Sequence, residues 1–397
     1  MGKPVDHIAP PGDAARSEDQ RPIRTAVVGM SVGQTCGVHD YAVLLADALN
    51  RERVSCSLHW LWRTEESIGA SRSEVTAWTR ELALELEQSR PDAILLHYSV
   101  FAYAHRGLPL FVHPTLSALR RSGAPIVTIA HEFAYPWLRR GWRGKSWAVS
   151  QRMLLVDVMR ASTAVVVTIE GRVEWLASRR WLPRRPVLVV PVFSTLPAPT
   201  AKSAPDADTS VIGLFGYSSE GAAVSLVLDA VRLLADRGVH VQLRLLGGPG
   251  RSSSAGAAWL AGAGPREVGD ALSFTGILPA QELSDALASC DVLLFADTAG
   301  PTARKTTLAG SLASGRPVIA IDGPLGWAEF IESGAARVVA PTSRALAEAI
   351  GALVADRGSR EALGALGREF AEERMGVART AKTVAGILGG LVPARLS

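Results

Sequence analysis

Three stretches of the 397-residue chain place chemically able side chains directly after apolar runs. The first is Gly33–Tyr41 (GQTCGVHDY), where Gly33 and Gly37 let backbone amides approach a ligand and a helix start favours an anionic or strongly hydrogen-bonding group. His39 and Asp40 are its reactive side chains; the plainer reading is a strand-helix turn with Asp40 as a cap. The second is His131–Glu132 in TIAHEFAYPW, a polar pair behind a fully apolar strand, where substrate contacts are expected in open α/β sheets. Tyr135 and Trp137, with Trp142 and Trp147 beyond, add aromatic faces that suit sugar rings and apolar acceptors. Tyr at position 135 excludes the zinc motif HExxH.

The third stretch, Ala299–Ser314 (AGPTARKTTLAGSLAS), turns at Gly300 and Pro301 and then crowds Arg304, Lys305, Thr306 and Thr307 onto a predicted helix start. Orphan amides, two hydroxyls, a positive dipole end and two cations at one point suit a diphosphate. The alternative is a capped surface helix with solvated charges. A P-loop would need glycines at 299 and 304, where Ala299 and Arg304 stand, and no GxGxxG is present to mark a dinucleotide site. Gly247 and Gly248 in GGPG, and Ile277 and Leu278 in GILP, are strand-end loops able to wall a nucleotide base or to be simple turns. Asp206 and Asp208 have the spacing of a metal-binding DxD but fall in a Pro/Ala/Ser-rich stretch, so they receive no role, and no metal site is expected.

The elements that must position these groups alternate. Apolar runs at Ile23–Met30, Asp92–Tyr98, Pro125–Ala130, Ala164–Thr168 and Val187–Val192 read as strands, with helices at Tyr41–Leu49, Glu74–Gln88 and up to Ser122 between the first of them. A second series runs through strands Val211–Phe215, Val241–Leu246, Val292–Phe295 and Pro317–Ile321, with helices Ala222–Ala235, Ala280–Ala288 and Thr306–Ser314. Continuous apolar strands alternating with helices predict parallel sheets covered on both faces. The expected organisation is a disordered tail over 1–21, a Rossmann-like domain over 22–196, a linker over 197–209 and a second Rossmann-like domain over 210–376. A final helix over 377–397 is expected to pack back toward the first domain. The fold class is thus α/β, two tandem Rossmann-like domains facing across a cleft.

Composition narrows the partners. The chain is 48% hydrophobic and 20% charged, with a formal net charge of +4, which excludes global disorder and gives no basic excess of the kind nucleic-acid binders show. Five of the 42 basic residues are lysine, and Lys305 is one of them. Three separated cysteines, an N-terminus without an apolar signal core and no 18-residue apolar stretch predict a cytoplasmic protein. The basic-aromatic segments Tyr135–Trp147 and Arg179–Pro186 admit weak peripheral contact with an anionic membrane. An acceptor wall with a solvated face is the preferred reading, because neither has an amphipathic period.

GVHDYAVLLADAL, His131–Glu132, FGYSSEGAAVSLVLDAV, LRLLGGPG, LSFTGILPAQELSDALASCDVLLFAD and TLAGSLASGRPVIA occur in the order found in GT-B nucleotide-sugar glycosyltransferases. Over roughly residues 23–390 the chain resembles the retaining family-4 (group 1) enzymes. The resemblance implies a bacterial biosynthetic transferase that moves a sugar from a nucleotide-diphosphate sugar to a hydroxylated or thiol-bearing acceptor, with retention, no cofactor and no metal. It implies a donor site of Gly216, Tyr217, Gly247, Gly248, Ile277, Leu278 and Gly300, with Arg304, Lys305, Thr306 and Thr307 on the diphosphate. The acceptor cleft would use Gly37, His39, Asp40, Tyr135 and Trp137, and His131 and Glu132 would be the catalytic pair. Where the family carries two glutamates eight positions apart, this chain has Thr302 and Gly310; its usual Arg and Lys are Tyr217 and Ala222. The competing readings are a non-catalytic GT-B partner protein and a sugar-nucleotide-processing enzyme such as an epimerase.

Overall fold

The computed structural model describes residues 21–32, 36–64, 67–134, 141–200, 209–217, 221–264 and 271–391. The elements run β1 (Ile23–Val32), α1 (Gly37–Arg51), β2 (Val54–Arg63), α2 (Ile68–Ser89), β3 (Ala93–Ser99), α3 (Val112–Arg121), β4 (Ile126–Glu132), α4 (Gly141–Ala161), β5 (Ala164–Val167), α5 (Glu170–Ala177) and β6 (Val187–Val189). They continue with β7 (Ser210–Phe215), α6 (Gly221–Ala235), β8 (Val241–Leu246), α7 (Ser254–Ala263), β9 (Leu272–Phe274), α8 (Ala280–Ala288), β10 (Val292–Phe295), α9 (Thr306–Ala313), β11 (Val318–Ile321), α10 (Ala328–Ser333) and β12 (Arg337–Val339). Three helices end the chain: α11 (Ser343–Ala355), α12 (Arg357–Arg374) and α13 (Val377–Leu391). The chain divides into two compact units, one reaching Pro191 and resuming at Val377, the other spanning Val192–Gly376.

In the first unit six parallel strands form a sheet in the order β2-β1-β3-β4-β5-β6. Alternation along β1 sends Ala26, Val28 and Met30 into a core with Val75, Leu82 and Leu86 of α2 and Leu116 and Leu119 of α3. The opposite face, carrying Val27, Gly29 and Ser31, lies under α1, against which α13 packs. Ser67 caps α2 by accepting the amide of Ala70, and the buried residues Val75, Leu82 and Leu86 recur at helical spacing along the sheet side of that helix.

The second unit is built likewise, with parallel order β12-β11-β10-β7-β8-β9. Its core joins Ile212 and Leu214 of β7 to Val227 and Leu228 of α6, Trp259 of α7 and Ile350 of α11. Residues 197–200 lie on α8: Ser284 donates to the Pro197 carbonyl at 2.6 Å, and Thr200 donates its amide to Asp285 at 2.7 Å. In both units the first strand is interior, β1 next to the edge strand β2 and β7 in the middle of its sheet, and the chain winds away from it in two directions. Strand order therefore reverses between β1 and β3 and between β7 and β10, the points where α/β sheets open a crevice at their carboxyl ends.

Six elements were not read from the sequence as such: β2, α4, α5, α7 and the three-residue strands β9 and β12. Strand β2 is an edge strand with a half-exposed, mixed pattern, so it lacks the apolar run that marks its neighbours. The basic-aromatic segment from 141 to 147 opens α4, where Trp142 is exposed and Trp147 packs on Gly107.

Candidate functional site

The carboxyl edge of the first sheet is built from a row of residues that share one face. Register pairs Trp60 of β2 with Gly29 of β1, and His97 of β3 with Ile129 of β4. A Cβ at position 29 would overlap the Trp60 ring, so glycine is what lets the indole lie flat on β1 and hand its Nε1 hydrogen to Ser31 Oγ at 2.9 Å. Beyond His97 the register slips: Tyr98 faces Ala130, but Ser99 faces Glu132, leaving His131 as the extra residue of a β-bulge. Such a bulge re-aims a side chain at a strand end. It brings His131 Nε2 to 3.1 Å from His97 Nδ1, with the rings stacked at 5.3 Å.

Helix α1 covers this pair. Tyr41 meets His131 edge-on at 5.2 Å and His97 at 6.0 Å, while His39 lies between Trp60 at 5.1 Å and Trp62 at 4.6 Å. Burial, with the Arg172 charge adding to it, pushes the His131 imidazole down to about 3, and burial with neighbouring His131 holds His97 well below the usual range. Both rings are therefore neutral at physiological pH. Arg172 of α5, itself buried, donates to the carbonyls of Ala130 and His131 at 3.0 and 2.8 Å and to the Glu132 carboxylate at 3.2 Å, which fixes the end of β4. Beside this row a cavity of about 390 Å³ opens at the ends of β1 and β3, lined among others by Ser31, Cys36, Ser99, Phe101 and Arg106. Arg106 carries a left-handed φ of 48°, a strained backbone of the kind found at ligand sites.

Of the residues expected here from sequence, the structure brings His131 and His39 into one aromatic cluster. Glu132 is tied to Arg172; Asp40 is exposed with its carboxylate 3.5 Å from His39 Nδ1; Gly37 is the exposed first residue of α1. Gly33, Tyr135 and Trp137 lie outside the described residues. Sequence reasoning missed His97, Trp60, Trp62, Ser31 and Arg172. The available signal was a histidine inside the apolar run DAILLHY.

In the second unit the corresponding edge is charged. Helix α9 starts one residue after Lys305, whose ammonium spans 2.7 Å to Asp297 just past β10. Burial raises the Asp297 carboxyl, but the Lys305 hydrogen bond, the Ala299 amide and the charges of Lys305 and Arg304 outweigh it and hold Asp297 below the usual carboxylate range. Lys305 is thus already engaged by a carboxylate rather than solvated. Gly216, with φ 67°, ends β7 so close to α9 that a Cβ there would come 2.5 Å from the Thr307 methyl. Arg304, Thr306 and Thr307 are half-buried at the same helix start. The fully buried Thr302 has an Oγ1 without a hydrogen-bond partner.

The remaining donor-side expectations separate. Tyr217 does not reach the edge: its ring packs against Trp259 and Phe274 in the core and its hydroxyl accepts the Gly250 amide, so only the Gly216–Tyr217 backbone is presented. Gly248 is buried against that ring, and Gly247 donates its amide to Thr275. Ile277 is 72% exposed and Leu278 half-buried on the loop after β9, while Gly300 is buried and backs onto the glycines at 323 and 326. Among the described residues no cluster of three or more His, Cys, Asp or Glu is placed to hold a metal ion, and no helix is long and apolar enough to cross a membrane.

Residues 209–356, most of the second unit, match the family model described as Glycosyl transferases group 1. Among solved structures, the glycosyltransferase of Rickettsia africae is similar over 94% of this chain and all of its own, with TM-score 0.68 and 12% identity. Sucrose-phosphate synthase of Thermosynechococcus elongatus is similar over 93% of this chain and all of its own, with TM-score 0.63 and 15% identity. The Neisseria meningitidis UDP-GlcNAc 2-epimerase, bound to UDP-GlcNAc, is similar over 92% and 100%, with TM-score 0.55 and 11% identity. At these identities the likeness is one of fold. No curated protein matches the sequence.

Proposed function

We propose that this GT-B chain, whose second unit is of the group 1 glycosyl transferase type, transfers a sugar from a nucleotide-diphosphate sugar to a hydroxylated or thiol-bearing acceptor. The observation that carries the reading is the start of α9, where Arg304, Lys305 and the hydroxyls and amides of Thr306 and Thr307 converge at the β7/β10 reversal beside Gly216. A leaving diphosphate needs such a fixed positive end. Here the protein's own cations and helix dipole take that task, so the transfer proceeds without a resident metal.

The donor groups belong to the second unit, and the cavity of about 390 Å³ with the histidine row in the first is the acceptor side. That volume fits a small molecule or one terminal residue of a glycan. The acceptor oxygen or sulfur bonds to the anomeric carbon as the bond from that carbon to the β-phosphate oxygen breaks. The electron pair leaves with the diphosphate, and the acceptor proton passes to the departing phosphate oxygen. Attack on the face the diphosphate leaves retains configuration. His131, a neutral ring at the end of β4, contacts the sugar or acceptor, and Glu132 with Arg172 holds that strand end in place.

An epimerase shares the fold, so product analysis separates the two readings. Mass spectrometry of reactions with nucleotide sugars and a panel of small hydroxylated and thiol acceptors is expected to show a glycosylated acceptor plus free nucleoside diphosphate. A rearranged or merely hydrolysed donor would contradict transfer.

A further inference from the structure

The His97–His131 contact contains more chemistry than the family resemblance assigns to it. Two imidazole nitrogens 3.1 Å apart form a hydrogen bond only when one carries a proton and the other a lone pair. Neither ring is charged, because burial disfavours the cation at both positions. Two proton arrangements remain. In one, His131 donates from Nε2 and His97 carries its proton on Nε2. That atom is buried without a hydrogen-bond partner, so the arrangement would bury an orphan N–H. In the other, His97 donates from Nδ1 to His131 Nε2, its own Nε2 keeps only a lone pair, and His131 carries its proton on Nδ1. Orphaned buried N–H groups are rarer than under-satisfied acceptors, so the second arrangement is the lower in energy.

The surroundings hold the pair in this geometry. His97 is 1% exposed, its carbonyl accepts the Tyr103 hydroxyl at 3.2 Å, and Trp60 and Tyr41 meet its ring edge-on at 6.1 and 6.0 Å. His131 is the half-buried member, turned by the bulge, with Arg172 on its carbonyl. We propose that His97 is a positioning residue that fixes His131 as the Nδ1-protonated neutral tautomer, making His131 a hydrogen-bond donor to an oxygen of the ligand and removing Nε2 as a general base. The ligand class is one with a sugar hydroxyl or phosphate oxygen to accept that hydrogen. The consequence for catalysis rests on the proposed sugar transfer; the tautomer itself does not.

The test uses the full chain with ¹⁵N-labelled histidine and long-range ¹H–¹⁵N correlation at pH 7.5, with His131 signals assigned by their loss in His131→Asn. The wild-type spectrum is expected to show His131 Nδ1 as the protonated nitrogen and Nε2 as the bare one; the reverse pattern overturns the proposal. In His97→Leu the pattern is expected to shift toward Nε2 protonation, and His97→Asn, whose side-chain amide can donate from nearly the position of Nδ1, is expected to keep the wild-type pattern. An unchanged pattern in His97→Leu also overturns it. No substrate is needed, so failure of the transfer reading and failure of the tautomer assignment are seen in separate experiments.

Discussion

The ends of β1, β3 and β4 and the ends of β7 and β10 lie at the strand-order reversals of two parallel six-stranded sheets, yet their chemistry differs sharply. The first is dominated by neutral rings, stacked imidazoles, indoles and a tyrosine, with Arg172 paired to Glu132, Asp40 beside His39 and Arg106 on the adjoining cavity. The second is ionic, with Lys305 on Asp297 and Arg304 beside them at a helix start. Topology supplies the same crevice in each case. The handful of residues after each strand decides whether that crevice suits a polar, uncharged acceptor or an anionic leaving group. Glycine is used in both for one purpose, close approach: of Trp60 to β1 at Gly29 and of Thr307 to β7 at Gly216.

The contrast can be broken at its charged end first. Replacing Arg304 and Lys305 together by Ala is expected to lower sugar-transfer turnover by at least about 10²- to 10³-fold, the effect of removing groups that stabilise a developing anion. Turnover within threefold of wild type would show that the diphosphate is neutralised elsewhere. At the neutral end, Gly29→Ala is expected to destabilise the chain by about 1–3 kcal/mol in urea unfolding, because the new methyl displaces Trp60. Gly216→Ala should cost a similar amount, and adding Thr307→Ser should recover the steric part by removing the methyl it strikes. What stays lost is about 1–2 kcal/mol for a non-glycine at positive φ.

Acid sharpens the comparison further. His131 titrates near 3 in the folded chain but near its ordinary 6.5 when unfolded, so the unfolded state binds the extra proton first. Stability is therefore full above pH 6.5 and falls as pH drops from 6.5 toward 3, with His97 acting in the same direction. Asp297, held low, contributes only at more acidic pH: its share is present above the unfolded carboxyl range and is lost as pH falls through its folded value. Urea midpoints at pH 7.0 and 5.0 should differ for the wild type, and His131→Asn should narrow the difference. The smallest effect is expected at Asp297→Asn, which frees Lys305 from its carboxylate. Nucleoside diphosphate affinity measured by calorimetry should rise by about tenfold or less, whereas a fall would show that Asp297 acts mainly to hold Lys305 in place.

The central strands of both sheets were legible because each is a continuous apolar run between turn residues, and Lys305 was legible because so few lysines compete for attention. On the charged edge the residues at the start of α9 were singled out from sequence, but Asp297 was not, because its partnership with Lys305 spans a loop that sequence spacing does not close. The neutral edge was read only in part. Its row needs β2, an edge strand without an apolar run, and the register that sets Trp60 on Gly29. His97 lay hidden inside an apolar strand, and the bulge that turns His131 toward it depends on pairing between strands. Tyr217 shows the converse: a residue placed at the donor edge by position along the chain is turned inward by its packing on Trp259 and Phe274.

The charged edge bears the account's central claim, and nucleoside diphosphates test it most directly. In a thermal-shift panel of uridine, guanosine, adenosine and thymidine diphosphates, at least one is expected to stabilise the chain, by about 2.7 kcal/mol at 100 times its Kd. That shift should vanish in the Arg304→Ala, Lys305→Ala double variant. Silence across the whole panel, or an equal shift in the double variant, would contradict a diphosphate site at the start of α9.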